Sequence, residues 1–377
     1  MALSGSPAAD GTARMAPKLA RRQVAALGAA ALLAQRPARA QTPRIVRFGF
    51  ASIGLNNRPF TGGSSAALAH AKGFVEQEFA DTPDIRTEWI FFKGAGPAVN
   101  EAFANGQIDF ASQGDLPQLI GRASGLKTTM VLSSGSHSPT YVGVPSASDI
   151  KSIKDLKGRK VAIFRGTNLH LTAVKVLAAN GLSERDLQVI NMDSATTAAA
   201  LVANQVDAAF GTYELLNLAR QGLASVIYDT KGDNPAFERH ATILARDAFI
   251  AEHPDIAQRI VNALVRAAFW SSQEQNRDAL FDVWANCGIP AAIFRDDFAG
   301  QALAYRNSPL LDPFLIAQYK QQAEDSRSYG LLRRPVDITG WFDPRFLDVA
   351  LQQPGLRDAQ RELWTAYGAD GKKLSPA

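Results

Sequence analysis

The residues best placed for chemistry are arranged to hold an anion rather than to make or break bonds. Gly166-Thr167-Asn168 stands between an apolar stretch ending at Phe164 and a helical pattern over Asn168–Asn180. The start of a helix offers backbone N–H groups that lack intrahelical partners, and its dipole favours negative charge. Gly166 lets a ligand come close to the backbone. Thr167 or Asn168 supplies either a side-chain bond to that ligand or the cap of the helix. His170 belongs to the same motif and is a candidate pocket contact. Two further candidates follow apolar runs on matching loops, Ser112-Gln113-Gly114-Asp115 and Gly211-Thr212-Tyr213-Glu214. Asp115 or Glu214 would hold a cationic group on a ligand, or else serve as a salt-bridge partner or a charge at a helix start. Tyr213 reads equally as a stacking partner and as core.

Other chemistries lack their residues. His70, His137, His170, His240 and His253 show no zinc-ligand spacing, and no HExxH occurs. There is no G-x-S-x-G nucleophile elbow, no Walker loop and no G-x-G-x-x-G; Gly94-Ala95-Gly96 is too short for a dinucleotide site. Cys287 is the only cysteine of 377 residues, which excludes an intrachain disulfide and a cysteine-based zinc or iron–sulfur site. No cofactor is expected. The net charge of +4 is concentrated at one end: residues 1–40 hold Arg14, Lys18, Arg21, Arg22, Arg36 and Arg39 against Asp10 alone, or +5, so residues 41–377 carry −1. The body has no cationic excess for phosphate backbones, and nucleic acid is not an expected partner.

The elements that must position these candidates alternate. Strands are expected at Arg44–Phe50, Thr87–Phe92, Ile108–Ala111 and Thr128–Leu132, with helices over Gly62–Phe79, Pro97–Asn105 and Leu116–Arg122 between them. The pattern then recurs, with strands at Lys160–Phe164, Gln188–Asn191 and Val206–Phe210 around helices at Asn168–Asn180 and Thr196–Ala203. Asn105-Gly106-Gln107-Ile108-Asp109-Phe110 closes one unit and Ala203-Asn204-Gln205-Val206-Asp207-Ala208 the other. Alternation of this kind implies α/β layers with parallel strands, and two such lobes leave a cleft beyond the strands' carboxyl ends. From Asp247 the chain turns helical, over Glu252–Gln273, Asn276–Cys287, Ala291–Ala304 and Asp312–Tyr329, and these helices are expected to pack outside the first lobe.

The first forty residues read as an export signal. Lys18–Arg22 are a charged head, Val24–Ala34 an apolar stretch too short to span a bilayer, and Ala38-Arg39-Ala40 a cleavage site. Arg21-Arg22 suggests the twin-arginine route. Met15 is the expected start and Gln41 the first mature residue.

The segment Ile150-Lys151-Ser152-Ile153-Lys154-Asp155-Leu156-Lys157-Gly158-Arg159-Lys160-Val161-Ala162 resembles the periplasmic solute-binding proteins of ABC importers, in their aliphatic sulfonate, taurine and nitrate branch. Arg165–His170 looks like that family's glycine-led helix start, Asn105–Phe110 its G-x-I-D-F strand and Gly114-Asp115-Leu116-Pro117 its pocket loop. Tyr329-Gly330-Leu331-Leu332 and Val336-Asp337 also fit, and the likeness runs over residues 44–350. It implies a type II periplasmic-binding-protein fold: two lobes, each a mostly parallel sheet flanked by helices, joined by a two-stranded hinge with crossings near Leu132–Val144 and Ala224–Leu244. The lobes would be residues 41–137, 138–235 and a return over 236–377. It further implies a monomer without catalytic activity that captures a small organic anion in the periplasm, for an importer permease in the inner membrane. The alternatives are a ligand sensor and an enzyme like the thiamine-pyrimidine synthases. The loop after the first strand should face the ligand, making Ser52 and Asn56 candidates. Here it is longer than in the family and lacks the family's glutamine.

Overall fold

The computed structural model describes residues 44–357 and 362–374; the export signal and the start at Gln41 lie outside them. Two five-stranded sheets organise the chain. The first holds β1 (Arg44–Phe50), β2 (Ile85–Phe91), β3 (Phe110–Gly114), β4 (Thr128–Ser138) and β10 (Arg239–Arg246), in the order β2-β1-β3-β10-β4. The second holds β5 (Tyr141–Pro145), β6 (Lys160–Ala162), β7 (Gln188–Ile190), β8 (Ala208–Gly211) and β9 (Ala224–Asp229), in the order β7-β6-β8-β5-β9.

The two topologies are equivalent. β1 pairs parallel with β2 and β3, while β10 is antiparallel to both β3 and β4. β6 pairs parallel with β7 and β8, while β5 is antiparallel to both β8 and β9. Four strands of each sheet therefore run one way and one runs against them. In each sheet the reversed strand is the one that has just arrived from the other sheet. β5 follows β4 across Pro139-Thr140, and β10 follows β9 across residues 230–238.

Both sheets are covered on both faces, as their alternation requires. Phe110, Ile243 and Ala245 face one core of the first sheet, whereas Ala111 and Leu244 face the other. In the second sheet Ala208 and Phe210 face one side and Ala209 the other. The helix Pro254–Ser272 opens with proline at its first turn, which costs no intrahelical bond there. It buries Ile256, Ile260, Ala263, Leu264, Ala267 and Ala268 in the same core as Phe48 and Phe50, so the late helices do complete the first sheet's layer. Two expected helices are broken. Gly73, at φ 65°, divides Ser65–Ala71 from Phe74–Glu78, and Gly300, at φ 77°, lies between Ala291–Asp297 and Leu303–Asn307.

The crossings are bonded to each other. Thr140 N–H donates to Thr230 Oγ1 (2.9 Å), and Thr230 N–H donates to the Thr140 carbonyl (3.0 Å). His137 Nδ1 lies 2.6 Å from Glu238 Oε2, linking the end of β4 to the residue that precedes β10. Away from the crossings, Gly114 of the first sheet lies against Asn168, where the helix Asn168–Ala179 begins beside the second. A Cβ at position 114 would come within 2.6 Å of Asn168 Nδ2 and 2.9 Å of its Cβ. Gly114→Ala is therefore expected to lower stability by ~1–3 kcal/mol, the usual cost of overpacking, and Asn168→Ala in the same chain, which removes the amide but keeps the Cβ, to recover part of it. Thermal unfolding of the two single variants and the double variant checks this.

Candidate ligand-binding cleft

The carboxyl ends of β1, β3, β6 and β8 open on one cleft of about 480 Å3 between the sheets. Each end passes quickly into a helix: β3 through Gly114 into Asp115–Ala123, β8 through Thr212 into Tyr213–Arg220, and β6 into Asn168–Ala179.

Seven of the ten candidates line this cleft: Ser52, Asn56, Gly114, Thr167, Asn168, Tyr213 and Glu214. Ser52 Oγ shares a 2.7 Å hydrogen bond with Thr61 Oγ1. Thr167 Oγ1 donates to the Phe164 carbonyl (2.6 Å) and does not cap the helix behind it. The Tyr213 ring packs 4.9 Å from that of Phe294, and burial pushes its phenol well above the usual range, so it stays a hydroxyl. Glu214 is turned to its own loop, where it accepts from the Thr212 N–H (2.9 Å) and from the Thr212 hydroxyl.

Asp115, Gly166 and His170 are not brought to the cleft. Asp115 is buried. Its oxygens accept from the Leu116 N–H (2.7 Å), the His240 N–H (3.0 Å) and Gln322 Nε2 (3.2 Å), joining three elements. Gly166 answers to backbone geometry: its φ is 75°, which side chains resist, and a Cβ there would meet Pro97 Cγ at 3.2 Å. His170 points away, with Nδ1 accepting from the Gly166 N–H (3.2 Å) and Nε2 lying 3.3 Å from Glu184.

The charged groups of the cleft wall include several that the motifs did not single out. Arg306 and Asp297 form a buried ion pair at 2.6 Å, and Asp297 also accepts from the Tyr141 hydroxyl (2.8 Å). Lys93 lies 4.0 Å from Asp193. Arg239 differs. Half-buried at the first position of β10, it donates from Nε to Thr140 Oγ1 (3.0 Å) and from Nη2 to the Pro139 carbonyl (2.5 Å). Among the described residues no carboxylate lies within 4.0 Å of it. Burial lowers its affinity for protons from the usual arginine range, but a guanidinium keeps its charge near neutrality. The available signal was a charged residue at the head of the mixed run Arg239-His240-Ala241-Thr242-Ile243.

Residues 90–277 match the family described as NMT1/THI5 like. A protein of Bacillus subtilis (strain 168) named for binding aliphatic sulfonates is 28% identical over 59% of this chain and 66% of its own length. The crystal structure of a periplasmic sulfonate-binding protein from Methylobacillus flagellatus KT superposes with a TM-score of 0.72 at 30% identity, over 87% of this chain and 98% of that one. The chain belongs to the NMT1/THI5-like family, with the sulfonate-binding proteins. The alkanesulfonate-binding protein of Xanthomonas axonopodis pv. citri, solved with MOPS, is 25% identical with a TM-score of 0.66, over 80% of this chain and 99% of that one. The chain spans between about half and two thirds of the length of the curated relatives it matches. Family membership carries the two-lobed α/β fold with it.

In this member of the family His240 is fully buried beside Arg239, with neither ring nitrogen bonded, and burial holds its pKa well below the ordinary 6.5. It is neutral in the folded chain and takes up a proton on unfolding once the pH is under about 6.5, so stability falls as the pH drops below that value. The largest slope from one such group is about 1.4 kcal/mol per pH unit. Half-buried His70 acts in the same direction, and the raised carboxyl of Asp115 in the opposite one. His240→Phe is therefore expected to lose less melting temperature between pH 7 and pH 5 than the parent, measured by scanning calorimetry.

Proposed function

We propose that this protein is the ligand-capturing component of an ABC importer, taking a small organic anion of the sulfonate class in the periplasm and presenting it to a permease in the inner membrane. The observation that carries the proposal is Arg239: a half-buried guanidinium that lines the cleft and has no carboxylate partner among the described residues. A guanidinium offers five donors in a planar fork suited to oxyanions, and two of its nitrogens already donate to the neighbouring crossing. The start of the helix Asn168–Ala179 faces the same cleft and adds the N–H groups and dipole of a helix end. The names of the relatives support the sulfonate class and the periplasmic location.

In this reading the lobes are residues 41–137 with 236–377, and residues 138–235. The closed form gains ligand contacts from both, so binding shifts the population towards closure. No bond is made or broken. Cys287, the one thiol, lines the cleft, but burial raises its pKa, and the protonated thiol is a poor nucleophile.

Arg239→Gln removes the charge and leaves a polar side chain. Loss of a charge-assisted bond worth ~1.5–3 kcal/mol corresponds to roughly 10- to 150-fold in Kd. Arg239→Lys keeps the charge without the fork and is expected to fall between Gln and the parent. Calorimetry with the tightest binder from a thermal-shift panel of alkyl- and arylsulfonates measures this. Equal affinity of parent and Arg239→Gln would remove Arg239 from the site.

A further inference from the structure

We infer that the two lobes are braced on both faces by two buried bonds, Tyr141–Asp297 and Lys175–Asp325, and that this brace holds the ligand-free protein in its compact arrangement. It rests on the reading above only in that the lobes move, whatever ligand is captured.

The first bond lies on one face of the second sheet. Tyr141 follows Thr140, opens β5 and is 1% exposed, in the core that Ala209 faces. Its hydroxyl donates to Asp297 Oδ1 (2.8 Å) at the end of the helix Ala291–Asp297. That helix packs Ile293 and Phe294 in the core of Phe110, so it belongs to the first sheet. Arg306 holds the other oxygen of Asp297 at 2.6 Å. Burial and the Asp297 charge push the Tyr141 phenol above its usual range, so it stays a donor. Lys231, which follows Thr230, adds a bond from Nζ to the Asp296 carbonyl (3.1 Å).

The second bond lies on the opposite face. The helix Asn168–Ala179 packs Ala173, Val176 and Leu177 in the core of Ala208 and Phe210. Its Lys175, 5% exposed, meets Asp325 Oδ2 at 3.1 Å and donates to the Ala236 carbonyl (3.1 Å). Asp325 stands on the helix Pro313–Ser328, whose Leu315 and Tyr319 share a core with Ala111. Each face of the second sheet is thus tied to the layer on one face of the first. Rocking of the second lobe towards either face would stretch the bond on the other. Hydrogen bonds to charged groups are the stronger kind, and an enclosed ammonium parted from its acceptors is costly. Both bonds therefore favour the compact arrangement before any ligand is present. The Arg220–Asp296 pair also joins the two lobes, but it is exposed and screened by water.

The experiment is a distance measurement by double electron–electron resonance on the full exported protein without ligand. Spin labels are carried by Ala104→Cys and Ala199→Cys, with Cys287→Ala throughout. Both positions are exposed, on the helix Ala95–Ala104 of the first lobe and the helix Ser194–Val202 of the second. The parent is expected to give one narrow distance. Tyr141→Phe removes a hydroxyl and Lys175→Met a charge, each with little change of shape. Each is expected to raise the ratio of extended to compact molecules about tenfold, and the double variant to raise it further. Arg220→Gln is expected to keep the distribution of the parent. Thermal unfolding checks that the variants are folded, and Asp325→Asn weakens the second bond from its more exposed side should Lys175→Met fail to fold. A parent that is already broad, or a double variant with the distribution of the parent, would overturn the brace. Arg220→Gln as extended as Tyr141→Phe would overturn its assignment to the buried bonds. Ligand capture is judged separately by the Arg239→Gln titration, so either reading can fail without the other.

Discussion

The reciprocal bonding of Thr140 and Thr230 is the constraint on which the rest of the molecule depends. It is the place where the chain leaves one sheet and returns to it, and each threonine satisfies a backbone group of the other. Two crossings bonded in this way bend together, whereas separate linkers would let the sheets wander. Arg239 bonds to the same turn, so the cation facing the cleft also ties β10 to Pro139-Thr140. An anion held by Arg239 would therefore pull on the segment about which the sheets would move on closure. Under the proposed function, recognition and motion would share one side chain.

Contacts away from the crossings fix how near the sheets come. Buried Lys175, on a helix of the second sheet, lies 3.1 Å from Asp325 on a helix of the first, and donates to the Ala236 carbonyl. On another face Arg220 reaches Asp296 at 2.7 Å, with both groups exposed. The exposed pair contributes little, as screened surface ion pairs do. Lys175 is different, because a buried ammonium separated from its partners would be costly. Gly114 against Asn168, and Gly166 near Pro97, set the steric limit of the same approach.

Much of this architecture was legible in the residues. Apolar runs marked the strands, and the recurring Asn-Gly-Gln-Ile-Asp and Asn-Gln-Val-Asp turns marked two equivalent units, whose strands β3 and β8 hold the same place in their sheets. The reversed direction of β5 and β10 was not legible, because strand polarity depends on where the chain has come from rather than on composition. The lining of the cleft was half visible. Loops at strand ends are exposed to a cleft by topology alone, and Ser52, Thr167, Asn168 and Tyr213 line it for that reason. The direction of a side chain within such a loop is set by distant partners, and His240 and Gln322, over a hundred residues away, turned Asp115 inward. Arg239 was missed because what sets it apart is negative: among the described residues it forms no ion pair with a carboxylate.

The arrangement of the strands also dictates an order of assembly. All five strands of the second sheet lie within Tyr141–Asp229, an uninterrupted stretch of chain. The first sheet has no such independence, since β10 must be inserted between β3 and β4, more than a hundred residues after them. Until then β3 and β4 each present an open edge of unpaired backbone, the kind of surface that invites wrong pairings. Long-range strand pairing of this type is slow, because the loop must close before any contact rewards it. The later half of the chain thus completes the earlier one, and the sheet that starts first finishes last.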